Sequence, residues 1–168
     1  MLAKQDHIDI LKSGVANWNK WREENKTIKP DLEGVELRWA DLQRANLQRA
    51  SLQGADLERA NLEEANLQRA NIEGAYLQGA NLQGANLGGA NLGKTNLGGT
   101  DLRGAIFLKT GIRKVKSFYK AKLDTKILSE IKTKWPEKLA TIRSDTKKGS
   151  VIDDTLLEEI KKPDWQGW

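Results

Sequence analysis

The sequence predicts a β-solenoid, in which the chain winds into a column of short coils, and three observations support this fold class. A five-residue pattern runs without a gap over residues 30–109, in sixteen copies. The central position of each copy is apolar, and the position two residues earlier is Ala in most copies. The remaining positions are rich in Asn, Asp and Gly, which favour turns.

The central apolar residues of the pentads form the predicted core. In a helix, a step of five residues rotates successive side chains by about 140°, and in a strand it places them on opposite faces. Only a chain that turns once per pentad keeps all of them inside. The predicted core residues are Leu32, Leu37, Leu42, Leu47, Leu52, Leu57, Leu62, Leu67, Ile72, Leu77, Leu82, Leu87, Leu92, Leu97, Leu102 and Phe107.

The tandem A-N/D-L-x-x pattern resembles the pentapeptide-repeat family over residues 30–109, about half of the chain. The resemblance implies a right-handed quadrilateral β-helix with four pentads per coil, which gives about four to five coils here. The string HIDILKSGVANWNKWREEN is similar to the leader of many cyanobacterial members and indicates a cyanobacterial source.

Residues 1–29 are predicted to form an N-terminal cap. Ile8, Leu11, Val15 and Trp18 recur at helical spacing, which predicts one amphipathic helix over residues 6–25. This helix is expected to cover the open backbone of the first coil. The large outward-facing residue of the second pentad, Trp39, is expected to pack under it.

Residues 125–168 are predicted to form a mainly helical C-terminal cap, after an imperfect continuation of the repeat to about residue 124. Asp124 or Thr125 is expected to start its first helix. Further helices are expected after residues 136 and 153. Residues that need burial in this cap are Ile127, Leu128, Ile131, Trp135, Trp165 and Trp168.

The charge is unevenly distributed along the chain. Residues 1–30 carry six Lys or Arg and four Asp or Glu, residues 31–105 carry seven and ten, and residues 106–168 carry fifteen and nine, giving +2, −3 and +6. Phosphate binding needs clustered cations, so a nucleic-acid-binding groove on the repeats is excluded and nucleic acid is not an expected partner.

Residues twenty apart stack if a coil contains four pentads. Arg38 then pairs with Glu58 and Arg44 with Glu64, whereas the arginines at 49 and 69 repel each other unless an anionic partner binds them. A cationic strip over residues 113–126 is a second candidate site, although lysines also protect an exposed strand from edge pairing. The candidate interaction residues are Arg49, Arg69, Arg113, Lys114, Lys116, Lys120 and Lys122.

Enzymatic activity is not expected. The single histidine is His7 and there is no cysteine, so the usual nucleophilic and metal-binding groups cannot be assembled. The glycines follow the five-residue period rather than a nucleotide-binding pattern, and no cofactor is predicted.

We expect a rigid protein-interaction scaffold, monomeric because both ends are capped. A cytoplasmic location without membrane attachment is expected, because the chain lacks Cys, a signal-peptide pattern and a long apolar run. An alternative, implied by the resemblance for some members, is a DNA-mimicking regulator of the topoisomerase gyrase. Those members are typically strongly acidic, often have Phe at the central position and dimerise end to end, unlike this chain. Weak binding of nucleic acid or an acidic partner by the strip at 113–126 is a further alternative.

Overall fold

The computed structural model describes residues 4–107 and 115–134. Its helices are α1 (Lys4–Lys12), α2 (Val15–Glu24) and α3 (Thr125–Lys134). Between α2 and α3, the described chain forms single-residue parallel β-bridges rather than longer strands. None of the described helices has the length and apolar character needed to cross a bilayer.

Twelve of the fourteen β-bridges among the described residues connect residues twenty apart, and the last two, Asn96–Ser117 and Asp101–Lys122, connect residues 21 apart. All of them fall on four ladders, so one turn of the column contains four pentads. We number the four faces of the column by these ladders. Face 1 contains Asp31, Ser51, Asn71 and Asn91, face 2 contains Glu36, Asp56, Tyr76, Asn96 and Ser117, face 3 contains Asp41, Asn61, Asn81, Asp101 and Lys122, and face 4 contains Asn46, Asn66, Asn86 and Ile106.

Each pentad bends because its side chains and backbone favour a turn. The Asn or Asp before the central residue accepts a hydrogen bond from the backbone N–H two residues later, as Asn66 Oδ1 does from Gln68 N at 3.1 Å. The last residue of the pentad, which we call the corner residue, adopts a left-handed conformation, with φ of 57° at Arg69 and 67° at Gly84. The chain then turns onto the next face.

The interior of the column consists of the central residue of each pentad and the small residue two positions before it. All sixteen central side chains are at most 5% exposed, as the five-residue pattern predicts. Two threonines replace Ala in the fourth coil and remain fully buried. Their hydroxyl groups are satisfied, because Thr95 Oγ1 donates to Ile72 O at 3.0 Å and Thr100 Oγ1 donates to Leu97 O at 2.7 Å.

One extra residue enters the column at Lys116–Ser117. Lys116 N donates to Thr95 O, which keeps the pairing of the earlier coils. Leu97 N then donates to Ser117 O, one residue later than the earlier pairing requires. This two-against-one arrangement is a β-bulge, and it preserves the burial of Val115 and Phe118 on either side.

The N-terminal segment forms two helices, so the expectation of one helix over residues 6–25 is wrong. The helices α1 and α2 meet at Ser13 and Gly14, where φ of Gly14 is 115°. This value is incompatible with a continuous right-handed helix. The bend lets both helices contact the first coil.

These two helices provide partners that a preceding coil would otherwise supply. Inside the column, the N–H of a face-4 residue donates to the coil before it, as Asn66 N does to Ala45 O at 3.0 Å. In the first coil, Asn46 N donates instead to Asn19 Oδ1 at 2.8 Å, and Asn46 O accepts from Trp18 Nε1 at 2.9 Å. On face 1, Asp31 N donates to His7 Nδ1 at 3.3 Å.

The helix α3 begins where the sequence predicts. Asp124 Oδ1 accepts from Ile127 N at 2.8 Å, which identifies Asp124 as its N-terminal cap. Asp124 Oδ2 also accepts from Gly104 N at 2.7 Å and so joins the helix to the fourth coil. Ile127, Leu128 and Ile131 are buried. The tryptophans at 135, 165 and 168 and the helices expected after residues 136 and 153 lie outside the described residues.

Candidate interaction surfaces

Two outward arginines of the first coil are paired with acids of the second coil, as the twenty-residue spacing predicts. Arg38 contacts both Asp56 and Glu58 on face 2. At the corner between faces 3 and 4, Arg44 Nε donates to Glu64 Oε2 at 2.7 Å, and this hydrogen bond and the charge of Glu64 raise the pKa of Arg44. The charges of these arginines and acids neutralise each other within the column, so this part of the surface offers little net charge to a partner.

The column formed by Arg49 and Arg69, at the corner between faces 4 and 1, is different. Both side chains are exposed, and neither forms an ion pair with a carboxylate in the described part of the chain. Burial, together with the charge of Arg49, lowers the pKa of Arg22. The corner residue of the third coil is Gly89, and a Cβ there would lie 3.5 Å from Arg69 Cγ. We call Arg49 and Arg69 the arginine column.

The predicted cationic strip is divided between two faces. Lys116 and Lys120 are exposed at face 2, and the ammonium group of Lys120 lies 5.2 Å from the centre of the Tyr119 ring. Lys122 is on face 3, where its Nζ lies 3.6 Å from Asp101 Oδ2. Arg113 and Lys114 lie outside the described residues.

Three large apolar side chains are exposed on the described part of the column, all at positions other than the central one. Trp39 is 64% exposed, Tyr76 52% and Ile106 43%. The expectation that Trp39 packs under the N-terminal helices is wrong, because those helices bond to faces 1 and 4 while Trp39 is at the corner between faces 2 and 3. The Arg59 guanidinium lies 4.6 Å from the Trp39 ring centre.

A cleft of about 300 Å³ lies on face 2, between the third and fifth coils. The sequence pattern does not predict this cleft, because the cleft results from the missing side chain of Gly98 between the larger residues Gln78 and Tyr119. The cleft is lined by Gln78, Asn96, Gly98, Gly99, Ser117, Tyr119 and Lys120. We call it the face-2 cleft.

The described residues offer no arrangement for metal catalysis. No group of three or more His, Asp or Glu side chains among residues 4–107 and 115–134 is placed to hold a metal ion. His7 is 3% exposed, packs against Trp21 and accepts a backbone hydrogen bond through Nδ1. Its observed role is therefore to bind the first coil.

Comparisons with known proteins agree with the five-residue repeat. A family model described as pentapeptide repeats matches eight copies, over residues 31–69, 40–79 and 70–107. No curated protein matches the chain.

Solved structures similar to the chain include cyanobacterial and plant proteins. HetL from Nostoc sp. strain PCC 7120, a pentapeptide repeat protein involved in heterocyst differentiation regulation, is 40% identical over 58% of this chain and 42% of its own, with a TM-score of 0.50. A pentapeptide repeat protein of the Arabidopsis thaliana thylakoid lumen is 26% identical over 64% and 78%, with a TM-score of 0.56. Another from Nostoc PCC 7120 is 32% identical over 66% and 80%, with a TM-score of 0.31.

Proposed function

Because the chain belongs to the pentapeptide-repeat family, whose fold is a right-handed β-helix, we propose that it is a rigid, non-enzymatic scaffold that binds another protein through the arginine column. The observation that carries this proposal is the pair of exposed like charges at Arg49 and Arg69, twenty residues apart. The other two outward arginines of the first coil, Arg38 and Arg44, have acidic partners, whereas Arg49 has none among the described residues.

Charge repulsion supports an anionic partner for this corner. Adjacent coils are about 4.8 Å apart, so two stacked arginine side chains leave the backbone close together. At this spacing their positive charges repel each other. Arg22, which is 2% exposed, adds a third cation near Arg49. A carboxylate from a partner would relieve this repulsion and form charge-assisted hydrogen bonds with the guanidinium groups.

Rigidity of the column supports a scaffold role. Consecutive coils are joined on all four faces by backbone hydrogen bonds, most of them between 2.7 and 3.1 Å. The proposal includes a column of four coils and part of a fifth, with α1 and α2 as the N-terminal cap and α3 as the start of the C-terminal cap. A partner would therefore meet side chains held at a fixed spacing, which lowers the entropic cost of binding.

The alternative role as a DNA-mimicking gyrase regulator has less support. Mimicry of DNA requires an excess of exposed carboxylates, whereas here Asp56, Glu58 and Glu64 are neutralised by arginines. A supercoiling assay separates the two functions. We expect no inhibition of gyrase at micromolar concentrations of this protein.

The experiment for the proposed function is affinity capture from a lysate of the source organism, using the full chain and the double variant Arg49→Glu/Arg69→Glu. The captured protein is then purified and its binding is measured directly by calorimetry. We expect the variant to bind at least about tenfold more weakly, because removing close charge pairs at an interface has effects of this size or larger.

The matched control is Arg59→Glu/Lys94→Glu, which introduces the same change of charge at two other left-handed corner residues. This control is expected to retain binding. Equal loss of affinity in both double variants would indicate a general charge effect and would contradict a role for the arginine column. Unchanged binding by Arg49→Glu/Arg69→Glu would contradict it as well.

A further inference from the structure

The face-2 cleft exists because one side chain is missing from a regular column. The residues that follow the central position on this face are Arg38, Glu58, Gln78, Gly98 and Tyr119. Gly98 interrupts this series and leaves a gap about two coil spacings high, or roughly 10 Å, between Gln78 and Tyr119. The backbone does not require glycine there, because Gly98 is not among the residues with positive φ.

The third-coil side of the cleft, formed by Gln78, contains an unsatisfied polar atom. Gln78 Oε1 is buried and has no hydrogen-bond partner among the described residues. A buried polar atom without a partner costs about 1–3 kcal/mol, so such atoms are uncommon in native proteins. Because Gln78 lines the cleft, a molecule that enters it and offers a hydrogen-bond donor would remove this cost once the carboxamide of Gln78 turns toward the cleft.

Elsewhere in the column, amide side chains satisfy one another from coil to coil. On face 4, Gln48 Nε2 donates to Gln68 Oε1 at 2.8 Å. On face 1, Asn91 Nδ2 donates to Asn71 Oδ1 at 3.1 Å. The column thus uses stacked carboxamides one coil apart, and Gly98 occupies the position from which a carboxamide would reach Gln78.

The surroundings of the cleft are cationic. Lys116 and Lys120 are exposed beside it, and neither forms an ion pair with a carboxylate in residues 4–107 or 115–134. The acidic residues closest along this face, Asp56 and Glu58, are bound to Arg38. A ligand with negative charges on either side of its inserted group therefore complements the site.

From these four observations we infer that the face-2 cleft binds an extended, acidic segment of a partner protein and accepts one of its Asn or Gln side chains. The inserted carboxamide occupies the place of the missing side chain at position 98 and hydrogen-bonds to Gln78. The flanking carboxylates lie near Lys116 and Lys120. This site is on a different face from the arginine column, so each of the two proposals can be tested independently of the other.

The test uses the full chain and two defined peptides, acetyl-Asp-Thr-Gln-Thr-Asp-amide and the same peptide with Leu in place of Gln. Amide chemical shifts of isotope-labelled protein are followed during each titration. We expect the Gln peptide to shift the side-chain amide of Gln78 and the backbone amides of Gly98 and Tyr119. The Leu peptide should bind about fivefold more weakly, as expected for the loss of one hydrogen bond.

The variant Gly98→Gln fills the cleft from within the chain. A Cβ at position 98 would lie 3.1 Å from Asn96 Oδ1 and 3.5 Å from Tyr119 O, so the Asn96 side chain must shift slightly. Gln83, whose N–H makes the equivalent bond to Asn81 Oδ1 at 3.1 Å, shows that this type of turn accepts a glutamine. We expect this variant to fold and to lose the shifts caused by the Gln peptide. Gln78→Leu, which removes the carboxamide without filling the cleft, should bind the two peptides equally.

Three results would overturn the inference. The first is an absence of shifts at the cleft with the Gln peptide. The second is equal affinity of the unmodified chain for both peptides. The third is contact between Gln78 and the chain's own C-terminal residues in the absence of peptide, which would show that the protein fills its own cleft.

Discussion

At the residue scale, stability depends on the fit of each central side chain between the coils above and below it. Leu67 is 1% exposed and belongs to the second coil, so the interiors of the first and third coils enclose it. Protein interiors are packed as densely as organic crystals, and a lost side chain is only partly compensated by relaxation. In a column, this relaxation is restricted further because the backbone spacing is fixed by hydrogen bonds on both sides.

We therefore expect Leu67→Ala to lower the free energy of unfolding by about 2–5 kcal/mol. Urea denaturation followed by circular dichroism measures this difference. The control is Tyr76→Ala, which removes a larger side chain that is 52% exposed, and it should cost less than the Leu67 change. A smaller effect at Leu67 than at Tyr76 would mean that the central residues do not form the core.

A second prediction concerns the protonation of His7. Burial lowers its pKa below the ordinary value of 6.5, although the charges of Asp31 and Asp6 oppose this shift. Between the folded and unfolded pKa values, the unfolded chain binds more protons, so the free energy of unfolding falls as the pH falls through about 6.5. Protonation would also oppose the hydrogen bond that Nδ1 accepts from Asp31 N.

Urea denaturation at about pH 7.5 and about pH 5.5 tests this, since the two values lie on either side of the ordinary histidine pKa of about 6.5, which applies to the unfolded chain. The variant His7→Gln keeps a hydrogen-bond acceptor and cannot titrate in this range. The unmodified chain should lose more stability at the lower pH than the variant does. Equal losses would show that His7 does not contribute to the pH dependence.

At the element scale, the two N-terminal helices satisfy backbone groups that a column leaves open at its end. Trp18 is fully buried and also donates to Asn46 O, so one side chain supplies both apolar contact and a hydrogen bond. Arg22 donates to Gln48 O at 3.0 Å beside it. These contacts explain why α2, with few apolar residues, remains against the first coil.

Substitutions at Trp18 separate the two contributions. Trp18→Phe removes the indole N–H and part of the buried ring and should cost at least about 1 kcal/mol for the hydrogen bond, whereas Trp18→Ala should cost about 3–5 kcal/mol. Thermal or urea unfolding measures both. Similar small effects of the two variants would indicate that the N-terminal cap is not coupled to the column.

The column could be predicted from the sequence, but its ends only in part. The interior follows from the repeat itself, because each copy faces the same steric requirement, and the ladder register follows from the four pentads per coil that the family resemblance implies. The exposure of Trp39 does not follow from the repeat, because it depends on which faces α1 and α2 cover. Long-range hydrogen bonds determine which faces the helices cover, as the bond from Asn46 N to Asn19 Oδ1 does. The face-2 cleft could not be predicted from the sequence either, since Gly98 resembles the neighbouring glycines in the repeat.

At the scale of the whole molecule, the described bonds from α1 and α2 reach faces 1 and 4 of the first coil. The first-coil ladder residues of faces 2 and 3 are Glu36 and Asp41, both exposed. Negative side chains at a sheet edge oppose pairing with a second copy of the same edge. Helices and like charges together therefore account for the expectation that the protein is a monomer.

Size-exclusion chromatography with light scattering tests this expectation. The unmodified chain should elute as a monomer, and Glu36→Val/Asp41→Val, which removes the edge charges, should shift toward a dimer as concentration rises. A stable dimer of the unmodified chain would refute the prediction of closed ends. The single variant Glu33→Val, at an exposed position outside the ladders, serves as the control.

The central claim is that residues twenty apart lie directly above one another, and disulfide cross-linking measures this most directly. The chain has no natural cysteine, so cysteines can be introduced at Glu63 and Gln83, or at Glu63 and Gly88 as a control. Stacked positions about 4.8 Å apart lie within the Cα separation of about 4.4–6.8 Å that a disulfide requires. We predict rapid oxidation of the 63/83 pair and none of the 63/88 pair; the opposite order would contradict the fold and the interaction surfaces built on it.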